Sequence, residues 1–393
     1  MTAHKPPLWL VYASSALILS GIQAMLPVLP ALQQELDLSD SQVSLLITVY
    51  VLPSALFAIP ITATADRVGR RPILVWALAI FGLGGGYLVF RHTFAELLVV
   101  RAIQGLCFAP VIPLGITLIG DHLSGPSQVS AQSKRVVAMN IGNAFLPAAS
   151  GIVGTVAWYA PFAIQTFTLP LALAAFRQLP GKQATAAYTQ VTIRSALRTT
   201  LKKRLLPIHA TALLRFFFRY ALLTYLPILL AQRFGSSTTT IGLVLGATAA
   251  AGTVGAGSAA RLATRIPLIT LLTAGFLGIG VGLVGVATAA ILAPVIMATV
   301  VYGLSDGVFT VVHASLLTEA VPRKARASMV GVTGGMKNVG QLLGPSFVGL
   351  VLLLVPLGAA FAVLGAMSLA SMSLARVIGP SDETHRSTLE ATK

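Results

Sequence analysis

Acid is scarce in this chain and cysteine nearly absent. Asp and Glu number 11 against 27 Lys and Arg, and Cys107 is the single thiol in 393 residues. One thiol excludes an intrachain disulfide framework, and its place inside an apolar run reads as packing. Charged residues of both signs make up only 10% of the chain, where a water-soluble globule carries about 25%. No His, Cys, Asp and Glu cluster has metal-ligand spacing, no glycine-rich loop is set to cradle phosphate, and no nucleophile is spaced with a base. An enzyme is therefore not expected, and neither is a metal or other cofactor.

Apolar surface is abundant. Hydrophobic residues make up 55% of the chain and the mean hydropathy is +0.85. Apolar runs of about 20 residues, the length that crosses a hydrocarbon core of ~30 Å, recur at 8–30, 42–64, 73–90, 95–119, 136–157, 160–178, 206–230, 241–260, 266–286, 291–317, 328–354 and 357–378. The pattern predicts an all-α membrane protein of twelve transmembrane helices. The first run is too long for a cleaved leader and lacks a small-x-small site, so it reads as the first span.

The net charge of +16 marks orientation rather than a nucleic-acid partner. One set of alternate connectors holds Lys5, Arg67, Arg70, Arg71, Lys134 and Arg135. The same set holds the basic run from Arg177 to Arg204, then Arg261, Arg265, Arg323, Lys324, Arg326, Arg376, Arg386 and Lys393. The opposite set offers Arg91 and Arg233 beside Glu35, Asp37, Asp40 and Glu96. By the positive-inside rule both termini and the central loop are cytoplasmic. The expected location is the inner (cytoplasmic) membrane.

The segment 179–205 is the only long polar connector and divides the spans six and six. Expected domains are 1–178, a first six-helix bundle; 179–205, a linker; 206–380, a second bundle; and 381–393, a cytoplasmic tail. Ile193, Leu197, Leu201 and Leu205 among basic residues suit an amphipathic helix on the anionic leaflet, and a solvated linker fits equally well. One constant shift carries Gly105 onto Gly303, Leu118 onto Leu316, Asp121 onto Glu319, Asn140 onto Asn338, Gly142 onto Gly340, Pro147 onto Pro345 and Gly151 onto Gly349. Parallel six-helix repeats of this kind are a transporter architecture.

Ionisable groups inside the spans are rare and costly, so each is a site candidate. Arg101 lies ~9 Å into the fourth span, Arg219 ~18 Å along the seventh from the cytoplasmic side and Asp306 ~20 Å along the tenth from the outer side, at helical rise. Arg215 and Arg219 share a helix face. Asp306 is expected to pair with one of them and to be the group that takes a proton, since opposite charge and burial act on its carboxyl in opposite directions. A permanent salt bridge is the alternative. His313 reads as a helix-end polar group and Lys337 as structural or a phosphate-level contact. Cations outnumber acids here, and the first two spans offer Gln23 and Tyr50 instead of an acid, so a zwitterion or anion is favoured over a dedicated cation. Tyr220, Tyr225, Tyr302, Phe216 and Phe309 could supply an aromatic wall, with core packing the commoner use of such residues.

Three short motifs add a resemblance. Asp66-Arg67-Val68-Gly69-Arg70-Arg71-Pro72 resembles the D-R-x-G-R-R loop signature of the major facilitator superfamily, with Thr62 where the signature usually opens on Gly. Arg101-Ala102-Ile103-Gln104-Gly105 resembles that family's R-x-x-Q-G motif. Gly142, Pro147 and Gly151, with the fuller Gly340, Gly344, Pro345 and Gly349, resemble its antiporter-associated glycine–proline pattern. The resemblance, strongest to twelve-helix drug and metabolite proton antiporters, implies two pseudo-symmetric bundles around a cavity lined by spans one, four, seven and ten. It implies a proton-coupling role for Arg101 and helix packing by the glycine–proline pattern; with Asp306 as the other expected proton-coupling group, the expected substrate contacts are Arg215, Arg219, Gln23, Tyr220, Tyr302 and Phe309. It also implies a cytoplasmic latch formed by Asp66, Arg67, Gly69, Arg70 and Arg71, with Asp66 docking near Ala327–Gly331. The expected activity is proton-coupled export of a small organic molecule by a monomer surrounded by lipid. Uptake or facilitated movement of an organic anion or zwitterion is the alternative, and a sensor the third class, with no soluble domain to signal through.

Overall fold

The computed structural model describes residues 7–123, 125–179, 205–320 and 326–378. Among these residues every regular element is a helix. Nine helical stretches among the described residues are long and apolar enough to cross a membrane: Leu8–Glu35, Arg70–Phe90, Phe94–His122, Gly125–Val153, Leu206–Phe234, Thr238–Ala263, Leu268–Thr288, Leu292–Glu319 and Leu357–Ala375. Helices also occupy the three other expected positions, at Asp40–Val68, at Ala160–Phe167 continuing as Thr168–Gln178, and at Arg326–Val351. In chain order these are the first to twelfth segments. The linker helix expected within 179–205 and the tail 381–393 lie outside the described residues, except for the two end residues of the linker.

Short polar signals set the helix ends. Ser39 and Thr93 each form a reciprocal capping box, with Gln42 and Glu96, and so satisfy backbone donors where the second and fourth segments begin. The Ser237 hydroxyl accepts from the Thr240 amide at the start of the eighth. Gly235 closes the seventh in the left-handed region, with φ 59°.

Two expected boundaries need correction. The first span, expected as one helix over 8–30, is broken into Leu8–Leu17, Ser20–Gln23, a tight turn at Leu26–Val28, and Leu29–Glu35. Pro27 and Pro30 cannot donate to the helical ladder, so the chain reorganises around them. The fifth, expected to start near 136, begins at Gly125, which puts Lys134 and Arg135 inside a helix rather than on a connector. Polar contacts hold that extension: Gln132 donates to the Ile116 carbonyl at 2.9 Å and Arg135 donates to Gln132 at 3.1 Å.

The sequence repeat is also a repeat of packing. The second segment packs on the fourth as the eighth packs on the tenth. The third lies against the fourth and sixth as the ninth lies against the tenth and twelfth, and the first meets the fifth as the seventh meets the eleventh. Gly105 has no room for a side chain because the Tyr50 carbonyl stands there; its counterpart Gly303 faces the carbonyl of Thr248. Tyr50 and Thr248 are themselves related by the same shift, so one backbone contact has been kept twice.

The halves meet where the second segment packs on the eleventh and the fifth on the eighth. Gly151 lies against Gly242 and the Thr238 carbonyl, while the Thr238 hydroxyl donates to the Gly151 carbonyl at 2.9 Å. Gly349 approaches Ser44 across the other seam. These contacts sit at one end of the bundle, the outer end by the charge rule. At the opposite end Gly257, Gly334 and Gly335 have no described residue within reach of an added side chain.

This geometry predicts that Gly242→Leu, which would strike the Pro147 carbonyl, costs about 1–3 kcal/mol by overpacking and lowers the thermal midpoint of the purified protein. Gly257→Leu should leave that midpoint unchanged. Equal behaviour of the two variants would contradict the seam.

Candidate functional site

Asp306 sits at the middle of the tenth segment, buried at 5% exposure. Arg215 grips it with two bonds, Nε to Oδ1 at 2.6 Å and Nη2 to Oδ2 at 2.9 Å, and Arg219 donates from Nη1 to Oδ2 at 2.8 Å. Helical spacing of four explains how two arginines of one helix reach a single carboxylate on another. Bidentate, charge-assisted geometry of this kind is what makes a desolvated ion pair tolerable. Arg215 is closed off at 9% side-chain exposure, whereas Arg219 stays 26% open. The Thr310 hydroxyl donates to the Asp306 carbonyl at 2.7 Å. Tyr302, one turn from Asp306, is buried with its hydroxyl lacking a hydrogen-bond partner among the described residues. Tyr220 and Tyr302 both lie within the electrostatic reach of Arg219.

Lys337 of the eleventh segment joins this cluster. Its Nζ stands 5.3 Å from the centroid of the Phe216 ring, and the Arg215 guanidinium stands 4.7 Å from the same centroid. Among the described residues Lys337 has neither a hydrogen bond nor a carboxylate partner. Lys337 precedes by one turn Gly340, which packs on the Leu213 carbonyl of the seventh segment and so brings the lysine to the cluster. His313 lies two turns from Asp306 on the same helix, against the Ile208 carbonyl at 3.0 Å, with its ring stacked on Phe309.

In the first half, polar groups gather around the break in the first segment. Arg101 is fully buried, donates from Nη1 to the Gly21 carbonyl, and lies between the rings of Tyr50 and Phe162, at 5.8 and 5.1 Å from their centroids. Its Nε and Nη2 have no partner, and no carboxylate pairs with it, among the described residues. Ser150 donates to the Ala24 carbonyl, Gln23 to the Asn143 side chain at 2.7 Å, and Gln165 to the Ser20 carbonyl at 3.5 Å. Gln104 reaches Gln165 at 2.6 Å. The carbonyls released by the interrupted helix thus find donors from the fourth, fifth and sixth segments.

The expected residues therefore fall into separate places. Arg215, Arg219 and Asp306 come together, with Tyr220 and Tyr302 beside them. Arg101 and Asp306, both expected in proton coupling, make no contact, and Gln23 is tied within the first half. Phe309 is not brought to the cluster; it packs edge-on to Phe276, 4.8 Å between centroids. In the loop after the second segment Gly69 takes φ 102°, a backbone that favours glycine. Arg70 pairs with Asp121 at the end of the fourth segment, Arg71 lies 4.6 Å over the Phe176 ring, and Arg67 is exposed. The side chains of Asp66 and of Ala327–Gly331 lie outside what is described. Gly142 packs on the Ala16 carbonyl, Gly340 and Gly344 on the carbonyls of Leu213 and Phe217, and the Tyr225 hydroxyl donates to the Pro345 carbonyl at 3.3 Å.

Removing the one acid leaves both guanidinium groups without a counter-charge, so Asp306→Asn is expected to cost about 3–5 kcal/mol. Combining it with Arg215→Met, which removes the more deeply buried cation, should restore part of the loss in a thermal unfolding series. A double variant no more stable than Asp306→Asn alone would show that the pair does not act as a unit.

Comparison with known proteins follows the same lines. The family model described as Major Facilitator Superfamily matches residues 8–305 and 271–393. Among curated relatives, the bacillibactin exporter of Bacillus subtilis (strain 168) is 35% identical over 150 residues, 36% of this chain and 37% of that protein. The multidrug efflux protein YfmO of the same organism is 28% identical over 235 residues, 58% of each chain. The quinolone resistance protein NorA of Staphylococcus aureus (strain Mu50 / ATCC 700699) is 27% identical over 219 residues, 53% of this chain and 55% of that one. The match thus spans between about a third and three-fifths of these relatives' lengths. Among solved structures, the nucleoside transporter NupG superposes with a TM-score of 0.80 at 13% identity, covering 95% of this chain and 99% of that one. An inward-facing, unoccupied bacterial homologue of the human lysosomal transporter Spinster gives 0.76 at 16% identity over 94% of each chain. The human organic anion transporter MFSD10 gives 0.68 at 17% identity, covering 95% and 100%. With its repeated bundles and apolar spans, this multi-pass membrane protein belongs to the Major Facilitator Superfamily.

Proposed function

We propose that this chain is a proton-coupled exporter of a small organic molecule, working by alternating access of two six-helix halves. In this reading it spans the inner membrane twelve times with both termini in the cytoplasm and acts as a monomer. The observation that carries the reading is the mid-membrane carboxylate of Asp306, held by two arginines of a facing helix. A group placed so deep costs several kcal/mol unless it works or is paired, and this one has a partner, Arg219, that is open enough to exchange ligands. The export and efflux for which these relatives are named supply the direction.

Alternating access needs a seam that closes at one end while the other opens. The glycine contacts between the halves at the outer end, and the open space around Gly334 and Gly335 at the other, fit a state open to the cytoplasm. The Asp66–Arg71 loop is the proposed latch of the opposite state, with Asp66 docking on the start of the eleventh segment once the cytoplasmic side closes. Arg101 has the proposed role of holding the broken first segment in register with the fourth and so linking that break to coupling.

A second reading, proton-coupled or facilitated uptake of an organic anion or zwitterion, is favoured by one observation. Two cations, Arg215 and Arg219, hold the single acid, and a third, Lys337, lies on the Phe216 ring that Arg215 also faces. An anion on Arg219 competes with Asp306 for that arginine, so anion and proton binding reinforce each other by linkage. Two ligands that reinforce each other travel together, whereas exchange requires that they compete.

Everted membrane vesicles with an acid lumen separate the readings, using a fluoroquinolone as a probe that carries both a carboxylate and an amine. Export by exchange predicts that the probe accumulates inside while lumenal protons leave. Movement of probe and protons in the same direction would overturn exchange. Asp306→Asn is expected to abolish the pH dependence of transport while leaving a folded protein; unchanged proton dependence would remove Asp306 from the mechanism. Asp66→Ala should slow turnover several-fold with probe binding intact, and normal turnover would argue against the latch.

A further inference from the structure

Every acid in the chain other than Asp306 lies near a helix end, in a connector or beyond residue 381. The cluster of the seventh, tenth and eleventh segments therefore has no second carboxylate of its own to draw on. Asp306 has spent both oxygens on the two arginines: Oδ1 accepts from Arg215, and Oδ2 accepts from Arg215 and Arg219. Arg219 has given one nitrogen, and its Nε and Nη2 have no partner among the described residues. Lys337 has three donors and only the Phe216 ring near them. Arg219 and Arg215 are both close enough for their charges to act on Lys337. Three positive charges against one negative charge leave an excess that no acid among the described residues neutralises. In a medium of low dielectric such an excess is costly until a counter-charge arrives.

We infer that Arg219 and Lys337 form an anion subsite on the second half, built to seat the carboxylate or a similar oxyanion of an organic substrate. The inference rests on the reading of this cluster as a transporter's binding site and narrows the substrate class within it. Arg215 keeps its two-bonded hold on Asp306, so the site does not collapse when the ligand leaves. Arg219 is the arm that turns: its bond to Asp306 is single, and its side chain is the open one of the two. Lys337 is the specificity-determining residue. Without it, an anion would have to win Arg219 from Asp306 unaided; with it, the incoming anion meets a cation that no carboxylate among the described residues satisfies. The Phe216 ring, beside Arg215 and Lys337, places a flat apolar face close by, which suits an aromatic or otherwise planar body attached to the anionic group.

The test uses the full-length protein purified in a neutral detergent and three probes of nearly equal shape: benzoate, benzamide and benzylamine. Benzoate is expected to raise the thermal midpoint and the other two to leave it unmoved. Lys337→Met and Arg219→Gln should each weaken benzoate binding about tenfold or more, the scale of one lost hydrogen bond to a charged group. Lys337→Arg should keep most of the binding, and Arg233→Gln at the outer end should keep all of it. Retention by Lys337→Arg separates loss of charge from loss of fold. Absence of benzoate binding, binding of benzylamine as strong as that of benzoate, or full affinity in Lys337→Met would each overturn the subsite. Benzoate binding that Lys337→Met weakens, in a protein whose vesicles move no protons, sinks proton coupling and leaves the subsite standing. Proton-coupled movement of the fluoroquinolone with no benzoate binding sinks the subsite alone.

Discussion

A carboxylate in the middle of a hydrocarbon slab must be compensated, and the architecture of the second half is organised around that need. Asp306 reaches neutrality only because the seventh segment carries arginines four residues apart and packs where both can turn toward the tenth. The arrangement leaves the two arginines unequal. Arg215 is sealed and doubly bonded; Arg219 is open and singly bonded. That inequality separates a purely structural ion pair from one that can trade partners, and the proposed transport chemistry follows from it.

The first half handles its buried cation differently. Arg101 has no acid within reach among the described residues and spends its charge on a backbone carbonyl and two aromatic faces. It stabilises a broken helix rather than a charge pair. The two halves thus share their packing scheme, down to the glycines that meet Tyr50 and Thr248, but not their polar chemistry. A duplicated scaffold has kept the contacts that let helices approach and has diverged at the positions that face the interior.

Much of this was legible in the amino-acid order. Lipid-spanning length, the basic connectors and the repeat follow from hydrophobicity and charge alone, and the meeting of Arg215, Arg219 and Asp306 follows from helix spacing and depth. The parts that could not be read depend on packing between distant segments. Lys337 looked like an isolated lysine because its importance comes from the close seating of Gly340 on the seventh segment. The break in the first segment was signalled by Pro27 and Pro30, but its extent is set by Arg101 and Ser150, far away in sequence. The fifth helix begins early because Gln132 and Arg135 find partners beyond the apolar core, where a hydropathy reading sees only a polar connector. Arg70, read as part of a latch, is held by Asp121 of its own half, a pairing that becomes visible only when the third and fourth segments are seen side by side.

The ionisation of Asp306 during ligand exchange is the central claim, and infrared difference spectroscopy reads it most directly. Spectra of the purified protein, with and without benzoate across a pH series, would follow the carboxyl band, with Asp306→Asn identifying its origin. The account predicts a protonated-carboxyl band that changes on ligand binding in the native protein, shrinking where ligand and proton exchange and growing where they move together, and that is missing in the variant. An Asp306 that stays ionised with and without ligand at every pH would contradict it and leave the cluster a fixed structural brace.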